Sequence, residues 1–428
     1  MPPVPMRRGA DGAIRDPIVG AKRVRSGNGT LRENAPKTAG GGTMNQEMSK
    51  TEDDLVAAAA AFAARDVRPH AAAWEKARTL PAEMFERAAA AGLTSAILPT
   101  EVGGGGAGML CASRMAEVLA AADFGFAFAL KVHANAANAV ARRGTDEQRH
   151  RLLPGMIDGR RIGAFCLTEP AVGSDATAIT CAAAKETGGW VVTGEKAWVT
   201  NGVNADVMSV YVQTDAEAGW RGIANVLVEG DFPGLSRAAP YDLLGGHAAG
   251  LCGLTFAACR IPDTNLLIAP GEGFKAAMAG INMARMFVAA LCCGMLGECL
   301  DRALAYGAGR MAFGRPILAN QGLQWELADV ATDLEACRRL TEHAARTLDA
   351  GEAGIAECAH AKKFATRAAV RGISACMQAM GAAGLRAEEP FGRHFAAAKM
   401  CEFLDGTTEI QNVVISRSLL RPHGLDAS

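Results

Sequence analysis

The sequence predicts an α+β fold laid out as three consecutive blocks: helices, then short strands, then long helices. Three observations predict it. Helical periodicity starts at Thr51, yields to short β-rich pieces between about Phe165 and Ile261, and returns from Gly273 to Leu420. Strands and helices do not alternate, which argues against a doubly wound parallel sheet. At 428 residues the chain is long enough for two to three domains. The changes of pattern set these at 44–164 (helical), 165–265 (β) and 266–428 (helical).

Residues 1–43 carry Arg7, Arg8, Arg15, Lys22, Arg23, Arg25 and Arg32 with few acids, and close on three glycines. No apolar stretch follows the arginines, so the segment does not read as a secretory signal. It reads as a disordered extension or a start assigned too early, with Met44 the natural start. Asp53 and Asp54 place acids at the head of a helix over Leu55–Ala64, where the macrodipole favours them. Further helical stretches are expected at Ala82–Ala91, Met109–Ala122, Val132–Arg142 and Glu147–Ile157. Strands are expected at Trp190–Thr193, Ala197–Thr200, Val207–Gln213, Ala224–Val228 and Leu254–Cys259, separated by Gly, Asn and Pro turns. Long helices follow, among them Gln324–Leu348 and Cys358–Met380.

Half the residues are hydrophobic, 21% are charged, and the formal net charge is −1. There is no basic excess and aromatics are only 5%, which sets nucleic-acid binding aside. The longest apolar run, Met286 to Gly297, has about half the roughly 20 residues that cross a bilayer, so no membrane span is expected. Twelve cysteines without a CxxC pair read as reduced, buried small hydrophobes of a cytoplasmic protein. The eight histidines form no HxxH or HExxH pair, and no metal site is expected.

Gly103, Gly105 and Gly108 spell GxGxxG, but no buried strand leads into them and no βαβ unit surrounds them; they read as a glycine-rich loop. In Leu167-Thr168-Glu169-Pro170-Ala171-Val172-Gly173-Ser174-Asp175, two hydroxyls flank a turn shaped by Pro and Gly, whose backbone N–H groups suit an anionic ligand; an ordinary helix-to-sheet turn is the plainer reading. In Gly194 to Gly202, Trp198 and Thr200 would share one face of a strand, an indole to flank a planar cofactor and a hydroxyl for its edge; a core Trp at a hairpin is the plainer reading. In Phe403-Leu404-Asp405-Gly406-Thr407-Thr408-Glu409-Ile410-Gln411, an acid precedes a helix start, and Asp405 or Thr407 can be read simply as the cap.

Together these segments resemble the acyl-CoA dehydrogenase family over roughly residues 50–422. Further matches are Gly144-Thr145-Asp146-Glu147-Gln148, Gly273-Phe274 leading to Arg285, Arg310 to Ile317 followed by Gln321, and Gln378 to Gly384. The resemblance implies a helical N-terminal domain, a β-barrel-like middle domain and a C-terminal four-helix bundle. It implies FAD as cofactor and an acyl-CoA or acyl-carrier-protein thioester as substrate. It also implies an electron-transfer flavoprotein as acceptor and a homo-oligomer, commonly a tetramer, with a dimer as the smaller option.

By this resemblance Phe165, Cys166, Leu167, Thr168, Gly173 and Ser174 hold the flavin together with Trp198, Val199 and Thr200, and Thr407 and Glu409 complete its contacts. Arg310, Phe313, Gln321, Gln378, Gly381 and Ala382 reach the FAD of a neighbouring subunit. Ser174, Asn282, Arg285, Asp405 and Gly406 line the substrate path, and Asp405 takes the α-proton while hydride leaves for flavin N5. Asp405 stands where the family usually has glutamate, a loss of roughly 1.5 Å of reach. Another branch places its base at the position of Ala284. Ala396-Ala397, Leu404 and Asn282 also depart from the family pattern, and these departures fall at the acyl end. Two other classes share the scaffold: a flavin oxidase of nitroalkane-oxidase type, in which an arginine stands where this chain has Asn412, and a non-catalytic acyl-thioester or flavin-binding protein.

Overall fold

A computed structural model describes residues 48–425, so the expectation for residues 1–43 lies outside the described residues. The first helix, α1 (Lys50–Phe62), starts ahead of the predicted Leu55. Ser49 and Glu52 close a capping box there, which places Glu52 and Asp53 within the first turn. Then come α2 (Ala71–Ala77), α3 (Glu83–Ala90), α4 (Met109–Ala122), α5 (Phe124–Arg143) and α6 (Asp146–Ile157), the last capped by a Thr145–Gln148 box. Helix α5 begins well before the predicted Val132. Its first half is buried on every side, Phe124 to His133 without a break, so no apolar stripe marks it in the sequence. The GxGxxG stretch is a loop whose amides bond inward, Gly105 to Ser95 and Ala107 to Ala96.

Eight strands form one sheet: β1 (Gly163–Cys166), β2 (Ala182–Glu186), β3 (Gly189–Val199), β4 (Val207–Gln213), β5 (Ile223–Glu229), β6 (Leu235–Arg237), β7 (Cys252–Pro262) and β8 (Leu266–Ile268). Their order is β6-β7-β3-β2-β4-β5-β8, with β1 parallel to β4. Every residue of β4 is buried. Strand β3 is one piece where the sequence suggests two, because Gly194 takes up a bulge against β7 at a φ of 142°.

The last block holds α7 (Gly273–Gly309), a hairpin of β9 (Met311–Ala312) and β10 (Arg315–Pro316), then α8 (Gln321–Asp349), α9 (Ile355–Met380), α10 (Phe391–Cys401) and α11 (Thr408–Leu420). Helices α7, α8 and α9 pack side by side, α4 lies against α7, and α10 and α11 lie on α9. Among the described residues α7 alone is long and apolar enough to cross a bilayer, a length the count of unbroken apolar residues understates. Two thirds of its most apolar stretch, 67%, is buried inside the protein, which is the pattern of a core helix. All twelve cysteines are buried and unpaired.

Candidate active site

The predicted acid sits in the short connection between α10 and α11. Asp405 (φ 50°) and Gly406 (φ 90°) are successive left-handed residues, a corner that Gly adopts freely and Asp tolerates. Thr407 caps α11, its hydroxyl accepting from the Ile410 N–H, so of the two cap readings Thr407 takes that role. The corner is held from three sides. The Arg285 Nε of α7 donates to the Asp405 carbonyl (3.2 Å), and the Lys362 Nζ of α9 donates to the Gly406 carbonyl (2.6 Å). The Gln411 side-chain amide donates to the Gly406 carbonyl as well (2.8 Å). The Asp405 Oδ2 is buried without a protein partner, and its backbone N–H donates to no acceptor among the described residues.

Asp405 opens on a cavity of about 800 Å³ between α5, α7 and the sheet. Of the predicted site residues, Phe165, Asn282, Arg285 and Asp405 line it; Ser174 does not and lies exposed on the turn after β1. Burial lowers the Arg285 guanidinium and the Lys362 ammonium from their ordinary values, while the Asp405 carboxylate pulls both back up. A third cation, Lys131 of α5, lines the same cavity at 7% exposure. Burial takes it down to about 8, again against the pull of Asp405. Lys131 and Lys362 are absent from the sequence reading. Lys362 carries no local signal, and Lys131 interrupts an otherwise apolar helix, which is the mark that could have found it.

The second cluster lies where β1 and β3 end. The turn 168–175 hangs on Glu169, whose buried carboxylate pairs with Lys196 (2.8 Å) and accepts from the Thr180 and Cys181 amides. That anchoring leaves Gly173 and Ser174 exposed, and a Cβ added at Gly173 would meet nothing within 4 Å. The predicted strand alternation at Trp198 and Thr200 fails. Trp198 is left-handed (φ 58°) and 53% exposed against Tyr241, whereas Thr200 is buried beyond the strand end, so the two do not share a face. The reading of Trp198 as a core residue fails with it. Asn201, unremarked in the sequence, ties this turn down by donating to the Ala129 and Gly163 carbonyls (2.9 Å each). Cys166, Leu167 and Val199 point their side chains into apolar cores and can offer a ligand only main-chain atoms.

Apart from Glu409, the remaining predicted contacts stand away from both clusters. Arg310, Phe313, Gln321, Gln378, Gly381 and Ala382 are exposed around the β9–β10 hairpin, the start of α8 and the end of α9. Phe313 is left-handed and 102% exposed, with Met311, Trp325 and Leu385 also open. Glu409 is exposed on the first turn of α11.

These residues fit FAD. An open indole held at a strained backbone, beside a hydroxyl and a turn with room above its glycine, suits a planar ring with a polar tail. The acyl-CoA dehydrogenase N-terminal, middle and C-terminal domain families match residues 49–160, 164–259 and 271–420. The chain is 34% identical over 385 residues, 88% of its length and 96% of the relative's, to the acryloyl-CoA reductase (NADH) of Anaerotignum propionicum. It superposes on butyryl-CoA dehydrogenase from Megasphaera elsdenii with a TM-score of 0.85 at 30% identity, covering 88% of this chain and 100% of that one. The FAD complex of PigA matches with a TM-score of 0.83 at 26% identity, covering 88% and 99%. The chain belongs to the acyl-CoA dehydrogenase family, FAD-dependent oxidoreductases acting on the CH–CH groups of acyl-CoA thioesters.

Proposed function

We propose that Asp405 is the base that removes the α-proton of an acyl-CoA thioester bound in the cavity at the α5–α7 face. The observation that carries this is the buried, unpartnered Asp405 Oδ2 on the cavity wall, beside a backbone N–H that no protein acceptor occupies. The carboxylate can take a proton and the free N–H can donate to the thioester carbonyl, where negative charge develops. Bound FAD supplies the hydride acceptor. The Asp405 side chain is short, so the Cα of the substrate lies close to the corner that Arg285, Lys362 and Gln411 hold still.

Thr168, Gly173, Ser174, Trp198 and Thr200 hold the FAD of their own subunit, with main-chain atoms of Phe165, Cys166, Leu167 and Val199, and Thr407 and Glu409 nearby. Arg310, Phe313, Gln321, Gln378, Gly381 and Ala382 contact the FAD of a second copy. This assigns a cover to the exposed Phe313, Met311 and Trp325 in a homo-oligomer. Arg142, Arg143 and Lys275, on the cavity wall and exposed, receive the phosphates of CoA. An electron-transfer flavoprotein takes the electrons onward.

The test is anaerobic bleaching of the purified yellow protein by acyl-CoAs, in the parent and in Asp405→Asn. The variant should keep its FAD and bleach about 10²- to 10⁴-fold more slowly, the range for loss of a general base. Equal bleaching in both proteins would remove Asp405 from the reaction. Turnover should need an electron-transfer flavoprotein, and peroxide released from oxygen at full rate would overturn that acceptor.

A further inference from the structure

Three buried cations surround one carboxylate, and only two of them are accounted for. Arg285 and Lys362 each donate to a main-chain carbonyl of the Asp405 corner. Lys131 donates to none. Among the described residues it has no hydrogen bond and no carboxylate within ion-pair distance, and its one close partner is the Phe287 ring, 4.7 Å from Nζ. Burying an ammonium is expensive, and an aromatic face returns only part of that cost. Asp405 is the single acid whose field steadies Lys131, and Arg285 and Lys362 share that field.

The surplus charge is local to the inner wall. Arg142, Arg143 and Lys275 are exposed, where phosphates can reach them, whereas Lys131 is 7% exposed and faces the cavity. Asn135 lies one turn further along α5, on the same face, and its Oδ1 is buried without a partner. Across the cavity the Asn282 amide donates to the Ala353 carbonyl (2.6 Å), and its Oδ1 is likewise unpartnered. A plain alkyl chain laid along this wall would leave a cation and two amide oxygens without partners. An acyl group ending in a carboxylate would answer the cation directly.

We infer that Lys131 is a specificity-determining residue that pairs with a second carboxylate on the acyl chain, so that the substrates are dicarboxylic acyl-CoA thioesters. This deepens the proposed thioester dehydrogenation and rests on it. The second carboxylate lies away from the reacting carbons, so its pairing with Lys131 leaves Asp405 free to act as base.

The test compares kcat/KM of the holoenzyme for glutaryl-CoA and adipyl-CoA with that for butyryl-CoA and hexanoyl-CoA. The parent should favour the dicarboxylic members at least about tenfold. Lys131→Met should cut that ratio about a hundredfold, and Lys131→Arg should keep most of it, the size expected when a buried charged group is left without its hydrogen-bond partner. FAD content and melting temperature establish that each variant is folded. A parent that favours the monocarboxylic thioesters overturns the inference even if no variant folds. Equal losses across all four thioesters in Lys131→Met overturn it too, since they would mean that Lys131 acts only on Asp405. If none of the four, nor any other acyl-CoA, bleaches the flavin, the thioester reading itself fails.

Discussion

Asp405 and Gly406 both occupy the left-handed region, and a non-glycine residue there costs about 1–2 kcal/mol. The donors from Arg285, Lys362 and Gln411 hold the corner in place against that cost. Lys362 is fully buried on α9, far from the sequence neighbourhood of Asp405, and its one hydrogen bond to the corner goes to the Gly406 carbonyl, besides the attraction between its charge and the carboxylate. Lys362→Met should therefore lower kcat roughly tenfold while KM changes little, because a loosened base is mispositioned in the transition state more than in binding. Steady-state kinetics with FAD content as control check this, and a rise in KM at constant kcat would count against a positioning role. The acid and the Thr407 cap are legible in the sequence because an acid–glycine–hydroxyl run before a helix is a local signal. Lys362, Lys131 and Asn201 are not, since each acts through partners 30 or more residues away or through a cavity that no local pattern encodes.

The elements were legible in proportion to how one-sided they are. Helix α4 falls over Met109–Ala122 as expected, whereas α5 loses its first turns to all-round burial, and β3 is read as two because its Gly194 bulge looks like a break. The same bulge-rich end, with Trp198 left-handed, defeats the period-2 argument for Trp198 and Thr200. Contact between α7 and α4 is equally hidden from local pattern. It depends on Gly294, where an added Cβ would stand 2.0 Å from the Glu117 carbonyl oxygen. Backbone cannot yield as a flexible side chain does, so Gly294→Ala should destabilise the protein by about 3 kcal/mol or prevent folding. Gly392 in α10 has nothing within 4 Å of the same atom, and Gly392→Ala should be neutral or stabilising by up to about 1 kcal/mol. Denaturant melts of the pair make the comparison, and equal stability of the two variants would refute the close α4–α7 contact.

At the scale of the whole molecule, the helical and sheet blocks meet on a neutral histidine. The His133 Nδ1 of α5 accepts from the Gly163 N–H at the start of β1 (3.0 Å), so its Nε2 carries the proton and donates to the Met156 carbonyl at the end of α6 (2.9 Å). Protonating Nδ1 would set two donors against each other at this junction. Burial holds His133 down to about 4, and burial likewise takes His394 in α10 down to about 3. Both values lie below that of an unfolded histidine, so the stability they contribute is complete above pH 6.5 and is lost as pH falls toward 4 and 3. Asp123, the buried cap of α5, acts oppositely. Burial raises it to about 6, so it favours the folded state at low pH and loses that contribution as pH rises from about 4 through 6. Two histidines against one aspartate leave a net uptake of one proton on unfolding between those limits. Stability should then fall by about 1 kcal/mol or more for each pH unit from pH 6 to 4.5, and His133→Gln should make that slope shallower while lowering stability at pH 7. Urea melts across that range measure both quantities, and a stability that stays level from pH 7 to 4.5 would show that the junction does not depend on an uncharged His133.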